Sequence, residues 1–369
     1  MSKLKVAALQ GLSASSDAIT LANDGTCTAN ITNNLSNRNL IINGAMQVAQ
    51  RGTSSTASGY ASLDRYRNVY NGTDEAPTQS QVDVAAGTTP YTLGFRKALK
   101  VTNGNQTGAG TTDDIEIWQR IESQNIANSG WNYTSSSSYV TLSFWVKSSV
   151  AQNFQGYVLN EDSNQNTFPF ETGSLSADTW TKITKTIPGN SNLVFNNDNG
   201  VGLRVAIVAF LGTDSTSNSL SLNTWAAYNH PSNFCRDCTS TWYTTNNATL
   251  EITGVQLEVG SVATDFEHRS YGQELALCKR YFQPWIQYAE YTAGGTGNLG
   301  FPYTAFTVPM RTSPTFTSDH ESKSSNWSFH TMQVQGSDTV GYYAYAISYN
   351  TTDNNYGYMR KYGGASAEL

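Results

Sequence analysis

An all-β fold is predicted for this 369-residue chain by three observations. Charged residues make up 14% of it, against about 25% in an average globular protein. Polarity comes instead from Asn, Ser, Thr and Gln, with Gly and an aromatic content of 12%, a mix that suits pleated sheets and tight turns. Second, short segments alternate in side-chain character, most clearly Tyr139–Lys147. There Val140, Leu142, Phe144 and Val146 share one face and Thr141, Ser143, Trp145 and Lys147 the other. Third, only one helix is strongly signalled. Ser270 and Gln273 fit a capping box, with Tyr271, Leu275, Cys278 and Phe282 falling on one helical face and Pro284 stopping continuation.

Residues 1–38 hold two short apolar runs closed by glycine and then an amide-rich stretch, too little to bury a core alone. They read as an extended segment ordered by assembly, with a flexible tail as the alternative. Asn39–Ser54 reads as an entry hinge in which Leu40, Ile41 and Ile42 turn in and Gln50, Arg51 and Gly52 turn out. Asp64–Tyr70, where Tyr66 alternates with Arg65 and Arg67, begins a sandwich. Ala98–Val101, Ile115–Ile121, Tyr139–Lys147, Asn153–Leu159, Trp180–Ile187 and Val201–Leu211 continue it. The last strand carries Ile252, Val255, Leu257 and Val259, with Gly254 as a bulge, and stops at Gly260. Such strands, separated by Asn, Gly and Ser turns, predict a two-sheet antiparallel sandwich, and a jelly roll fits their spacing. The domains expected are an N-terminal segment (1–38), the sandwich (39–262), a helical connector (263–284) and a smaller β domain (285–369). Strand candidates in the last are Phe301–Met310, Thr315–Thr317, Ser328–Val334, Val340–Tyr349 and Tyr356–Tyr362. At that size association helps a fold survive, and trimerisation about a fibre axis is one solution. No constant-period repeat argues for a β-helix.

The net charge of −6 and the absence of a Lys/Arg-rich run weigh against nucleic-acid binding, which needs clustered cations for phosphate. No run of about 18 apolar residues is present to insert in a membrane, and the N-terminus lacks the apolar core of a secretory signal. A chain of extracellular composition without an export signal suits a protein assembled in a cytoplasm and released by lysis. Four cysteines do not make a disulfide framework. His230, Cys235 and Cys238 supply three of the four ligands of a structural zinc site, and free thiols or a local disulfide are the alternatives. Asp113, Asp114 and Glu116, Glu161 and Asp162, and Asp265 and Glu267 are available as carboxylate pairs, yet no GxSxG, P-loop, GxGxxG or HExxH motif marks a catalytic centre. For Asp265, Glu267 and His268 a role in fixing their loop is the better reading. The remaining signal is aromatic. Trp131 and Tyr133, Trp225 and Tyr228, and Trp242 and Tyr243 lie in loop-like stretches of the sandwich, and Trp327, Tyr356 and Tyr358 in the C-terminal unit. An exposed ring can cover the apolar face of a sugar while amides bond its hydroxyls, although for any one of them core or subunit packing is the competing role.

Ile252–Gly260 followed by Ala263–Gln283 resembles a join found in tail-fibre and related virion proteins of bacteriophages, particularly those of marine and cyanobacterial hosts. Asn39–Ser54, Val308–Phe316 and the terminal Ser366–Leu369 resemble the same family. The resemblance implies a jelly roll similar to carbohydrate-binding modules, in which a structural calcium ion can be held by loop oxygens, and no other cofactor. The resemblance, which identifies no receptor, implies a trimeric virion protein, and the reading expected with it is a homotrimeric tail fibre that docks on other tail proteins through residues 1–38 and binds a host envelope glycan without catalysis. An architectural tail or head protein that touches no receptor, a polysaccharide depolymerase and a host adhesin are the alternative readings.

Overall fold

The computed structural model describes residues 6–10, 19–21, 27–29, 37–162, 165–229, 233–292, 297–300, 303–323, 329–349 and 356–369. Within the N-terminal segment, β1 (Ala8–Leu9), β2 (Ile19–Leu21) and β3 (Cys27–Ala29) form a small antiparallel sheet. The sandwich is built from β4 (Ser54–Ser55), β5 (Arg67–Asn71), β6 (Thr78–Asp83), β7 (Lys97–Thr102), β8 (Asp114–Glu122), β9 (Tyr139–Ser148), β10 (Asn153–Asn160), β11 (Asn166–Ser174), β12 (Thr181–Pro188), β13 (Val201–Leu211), β14 (Ala226–Ala227) and β15 (Thr249–Val259). Two six-stranded antiparallel sheets result, in the orders β14-β11-β10-β13-β8-β5 and β12-β9-β15-β7-β6-β4. Sequence neighbours such as β8 and β9 lie in opposite sheets, the crossing pattern of a jelly roll.

Alternation decides which face each strand buries. Leu142, Phe144 and Val146 from β9 and Ile252 and Leu257 from β15 meet Ile115 and Ile117 from β8, Phe154 and Val158 from β10, and Leu203, Val205 and Ile207 from β13 in one core. The expected bulge is present. Between Thr253 and Gln256 the pairing of β15 with β9 shifts register, and Gly254 takes φ +63, with space for a Cβ closed by the Phe95 ring at 2.6 Å. Gln256 and Glu258 are thereby buried on the outer side of β15, beneath the loop that follows: Glu267 donates its backbone N–H to Gln256, and Thr264 donates to Glu258.

Short helical turns α1 (Thr89–Thr92) and α2 (Ser123–Ala127) interrupt the sandwich, and α3 (Tyr271–Lys279) follows it with the Ser270–Gln273 capping box in place. The buried face of α3 is not the expected apolar stripe. Tyr271 is exposed and Leu275 half-buried, while Glu274 and Cys278 point inward. The Glu274 carboxylate accepts from the Asn43 backbone N–H and pairs with Arg269, so the helix is attached by a polar contact to the Asn39–Ser54 stretch.

Beyond α3 the chain forms β16 (Phe282–Thr292), β17 (Gly297–Gly300), β18 (Thr304–Ala305), β19 (Thr315–Lys323), β20 (Phe329–Ser337), β21 (Gly341–Tyr349) and β22 (Tyr356–Ser366). These make a sheet in the order β16-β22-β19 and another around β21, which pairs β17, β18 and β20. Trp285, Phe306, Phe316 and Tyr342 are the aromatic centre of the unit. Most of the predicted strand Phe301–Met310 is not strand; of its described residues only Thr304–Ala305 pairs.

Two expectations about charge are overturned. Gln50 and Arg51 do not turn to solvent. Gln50 donates to the Asp64 carboxylate and to the Phe282 carbonyl, and Arg51 pairs with Glu368 at 3.0 Å while its guanidinium lies 3.7 Å from the centre of the Phe282 ring. Arg65 is not an outward strand residue. It precedes β5 at φ +71, is 1% exposed, and binds Glu368 while stacking 3.5 Å from the centre of the Tyr281 ring. The C-terminal strand unit is thus tied to the sandwich by ions out of water. Glu122 adds a second tie, accepting from Arg280 at 2.7 and 2.8 Å and from the Tyr281 hydroxyl at 2.6 Å. Removing one partner of a buried ion pair strands the other, so Glu368→Ala should lower unfolding free energy by about 3–5 kcal/mol in chemical denaturation. A loss below about 1 kcal/mol would show that Arg51 and Arg65 find water instead.

Candidate functional site

The outer face of the β14-β11-β10-β13-β8-β5 sheet divides into a covered half and an open half. On β8, Ile115, Ile117 and Ile121 turn into the core, so Glu116, Trp118 and Arg120 point outward. Register places Arg67 of β5 beside Trp118, with Ala206 of β13 on its other side and Tyr157 of β10 beyond. Over β10, β11 and β13 the long loop before β15 folds back: Thr167 donates to the Phe234 carbonyl at 2.8 Å, and Phe234 lies 5.1 Å from Tyr157 and 4.8 Å from Tyr228. Tyr157 is consequently fully buried although it sits on the outside of the sandwich. The loop stops short of β8 and β5, where Trp118, Arg67 and Arg120 are half-buried.

Trp118 is ringed by guanidinium groups. Arg204 lies against the indole at 3.8 Å from its centre, with Arg67 at 5.2 Å and Arg120 at 5.3 Å. Glu161 binds both Arg120, at 3.0 Å, and Arg204. Arg204 also donates to the Tyr157 hydroxyl at 3.2 Å, and that hydroxyl donates to Glu116 at 2.8 Å. Burial raises the Glu116 carboxyl above the ordinary range, against the pull of its Trp118 and Tyr157 neighbours and of Arg204. Arg120 is fixed further by the Leu369 carbonyl at 3.0 Å. Arg67 has no carboxylate in ion-pair reach among the described residues, and burial followed by the like charge of Arg120 lowers its pKa. The arrangement is a partly exposed aromatic ring in a field of forked donors, with Tyr228 at one side.

Of the described residues expected to form a site, only Tyr228 borders this patch. Trp131, Trp225, Trp242 and Tyr243 are buried in the sandwich core and present no ring face to a ligand. A loop tryptophan removes more apolar area from water than any other side chain, and each indole finds a backbone acceptor on the way in. Trp131 donates to the Ser138 carbonyl, Trp225 to Pro188 and Trp242 to Thr249. Tyr243 stacks on Phe210 at 4.3 Å and donates to Asp113 at 3.0 Å. Tyr133 is half-buried, edge-on to Phe195 at 4.8 Å. Trp327 lies outside the described residues, as do the side chains of Tyr356 and Tyr358. Trp118 and Arg67 were the residues missed, and the signal for them was a tryptophan and an arginine on the polar side of the Ile115–Ile121 alternation.

Cys235 and Cys238 are free thiols, with Cys235 buried, and His230 lies outside the described residues. Among the described residues no group of three or more His, Cys, Asp or Glu is placed to hold a metal ion, and no helix is long and apolar enough to cross a membrane. A concavity of about 250 Å³ lies on the other sheet among Phe95, Trp145, Lys182, Phe266 and His268. There Phe266 and His268 are spent on packing against Phe95, and His268 is held to the Leu93 carbonyl at 2.9 Å.

Fold and patch together define an antiparallel jelly-roll sandwich with an aromatic, arginine-rich outer face. No protein-family model matches the chain, and no curated protein matches it in sequence. Among solved structures it is similar to a CBM4 module (13% identity, TM-score 0.31, covering 59% of this chain and 98% of that one). The N-terminal cellulose-binding domain of Cellulomonas fimi β-1,4-glucanase C is similar at 13% identity and TM-score 0.28, over 59% of this chain and 99% of that one. The enzymatically active domain of bacteriophage CBA120 tailspike protein 4 is similar at 9% identity and TM-score 0.30, over 60% of this chain and 21% of that one. Overlaps this partial leave the architecture resting on the strand order and register described above.

One carboxyl of this face titrates near neutrality. Burial, then the charges of Glu116 and Asp113, raise Asp114 from 3.8 to about 7. Because the folded state takes up this proton more readily than the unfolded chain, stability rises as pH falls from about 7 towards 3.8 and is lowest above 7. Asp114→Asn should therefore stabilise the protein most above pH 7, with the gain fading as pH nears 4, in melting curves recorded across that range. An equal gain at every pH would place the Asp114 carboxyl in water.

Proposed function

We propose that this chain is a phage virion structural protein that binds a host surface glycan without catalysis, as a homotrimeric tail fibre joined to the particle through residues 1–38. The observation that carries the binding reading is Trp118. A half-buried indole held by Arg204 at 3.8 Å, in a face half roofed by its own loop, can cover the apolar side of a sugar ring while guanidinium forks bond its hydroxyls. One such site is weak. Three copies on a fibre, and many fibres on a particle, add through effective concentration. The resemblance of the Asn39–Ser54, Ala263–Gln283, Val308–Phe316 and Ser366–Leu369 segments to tail-fibre proteins supports the virion setting.

The depolymerase alternative has one observation in its favour. Glu116 and Glu161 sit on this face with opposed environments, the first pushed towards its neutral form and the second held between arginines, and such divergence is how an acid and a base are divided. Against it, Glu116 is 2% exposed beneath Tyr157 and Glu161 has two guanidinium groups on its oxygens, so neither reaches a substrate from solution. The architectural alternative needs no open ring. Full-length protein mixed with host surface polysaccharide should be retained on it and release no new reducing ends. Trp118→Ala should weaken retention by about tenfold or more, the equivalent of about 1.4 kcal/mol. Retention unchanged by Trp118→Ala defeats this site, sustained release of reducing ends defeats the non-catalytic reading, and a sedimenting monomer defeats the trimer.

A further inference from the structure

We infer that the ligand of the Trp118 face is an acidic glycan, one whose sugars carry carboxylate or sulfate groups, and that Arg67 receives the anion. This deepens the glycan-binding reading and rests on it. The argument is one of local charge. The chain as a whole is acidic at −6, yet Arg67, Arg120 and Arg204 crowd one indole. Three guanidinium groups meet one paired carboxylate, Glu161 on Arg120 and Arg204, and the buried Glu116, so the patch keeps a cationic excess. That excess is concentrated on Arg67, which is half-buried, makes no ion pair with a carboxylate among the described residues, and faces Arg120 and Arg204 as its charged neighbours. A like-charged neighbour disfavours the ion, and an anion between Arg67 and Arg120 relieves the repulsion while filling a planar, bidentate donor set.

Neutral sugars need none of this, since stacking and hydroxyl bonds suffice for them. A nucleic acid needs more, because phosphate tracking takes a stripe of cations along the strand and this face offers one cluster in an acidic protein. Among the described residues Arg67 makes no ion pair, and its side chain lies 5.2 Å from the centre of the Trp118 ring.

The test uses the full chain on a panel of immobilised oligosaccharides bearing uronate, sialate or sulfate, each beside its neutral counterpart, with duplex DNA as a further arm. Binding confined to acidic members and falling with added salt is expected. Arg67→Ala should lose about tenfold or more in affinity for them with an unchanged melting temperature, and Arg67→Lys should recover part of the loss because it restores charge without the fork. Equal binding of acidic and neutral partners, insensitive to Arg67→Ala, would overturn the acidic class and leave the glycan reading standing. No retention of any sugar would overturn both. DNA bound more tightly than every sugar would replace the glycan with a phosphate backbone.

Discussion

The structure depends on two arginines held out of water. Arg65 and Arg51 converge on Glu368, with Arg65 laid on the Tyr281 ring and Arg51 on the Phe282 ring. Burial opposes the charge on Arg65, but Glu368, with Tyr281 and Tyr60 behind it, keeps that arginine firmly protonated. Asp64 sits in the same knot: burial raises its carboxyl, and Gln50 and Arg51 pull it back. Every residue in the knot needs the others. Because the partners come from the sandwich, from the segment after α3 and from the terminal Ser366–Leu369, the knot closes only when the C-terminal sheet has docked. Arg311 completes it by donating to the Ala367 and Glu368 carbonyls. Four separate segments, Asn39–Ser54, Ala263–Gln283, Val308–Phe316 and Ser366–Leu369, thus meet at one joint.

What was legible in the sequence follows from this division. Val201–Leu211 matches the observed strand end to end, and Tyr139–Lys147 falls one residue short, because strict alternation over many residues admits one pleat. The Gly254 bulge and the Ser270 cap were readable because each is local chemistry. Two long strands were not. Phe282–Thr292 carries Pro284 and Asn166–Ser174 carries Pro169, and a proline argues against a strand unless the strand lies at or beside a sheet edge, as both do. Long-range polar contacts were invisible for a different reason. Nothing local to Arg51 or Glu274 says that a carboxylate or an amide distant in sequence will meet it, so the one was assigned to solvent and the other left out of a helix face read by its apolar residues.

The site was hidden by the same asymmetry. Aromatic residues in loops looked exposed because loops lie on surfaces, yet Trp131, Trp225 and Trp242 are the residues best able to seal the ends of a sandwich. Trp118, in mid-strand on the polar side of Ile115–Ile121, is the ring left partly in solvent, because the loop carrying Phe234 folds over β10, β11 and β13 and stops short of β8. Which half of a sheet is roofed is set by where a loop is anchored, here by Thr167 to the Phe234 carbonyl and by the bridge between Thr216 and Cys235. Alternation along one strand cannot reveal that.

The field of the patch has a short reach, and this limits what its charge can do. At physiological ionic strength charges are screened beyond about 8 Å, so three arginines on an acidic chain cannot draw an acidic polymer from a distance, and the net −6 opposes approach slightly. Within contact range the balance reverses. Desolvation against the Trp118 ring strengthens each guanidinium bond, and Arg67 exchanges the repulsion of Arg120 for a partner. Such a site discriminates at contact and releases readily. On the multivalent fibre proposed above those properties would be useful, because fast release of single sites would let a particle sample a surface while simultaneous engagement of several would hold it. An electropositive fibre would gain on-rate and lose that selectivity by adhering to any anionic surface. The low charge of the chain and its arginine-ringed Trp118 are therefore two sides of one arrangement, in which attraction is confined to the place where shape can also be read.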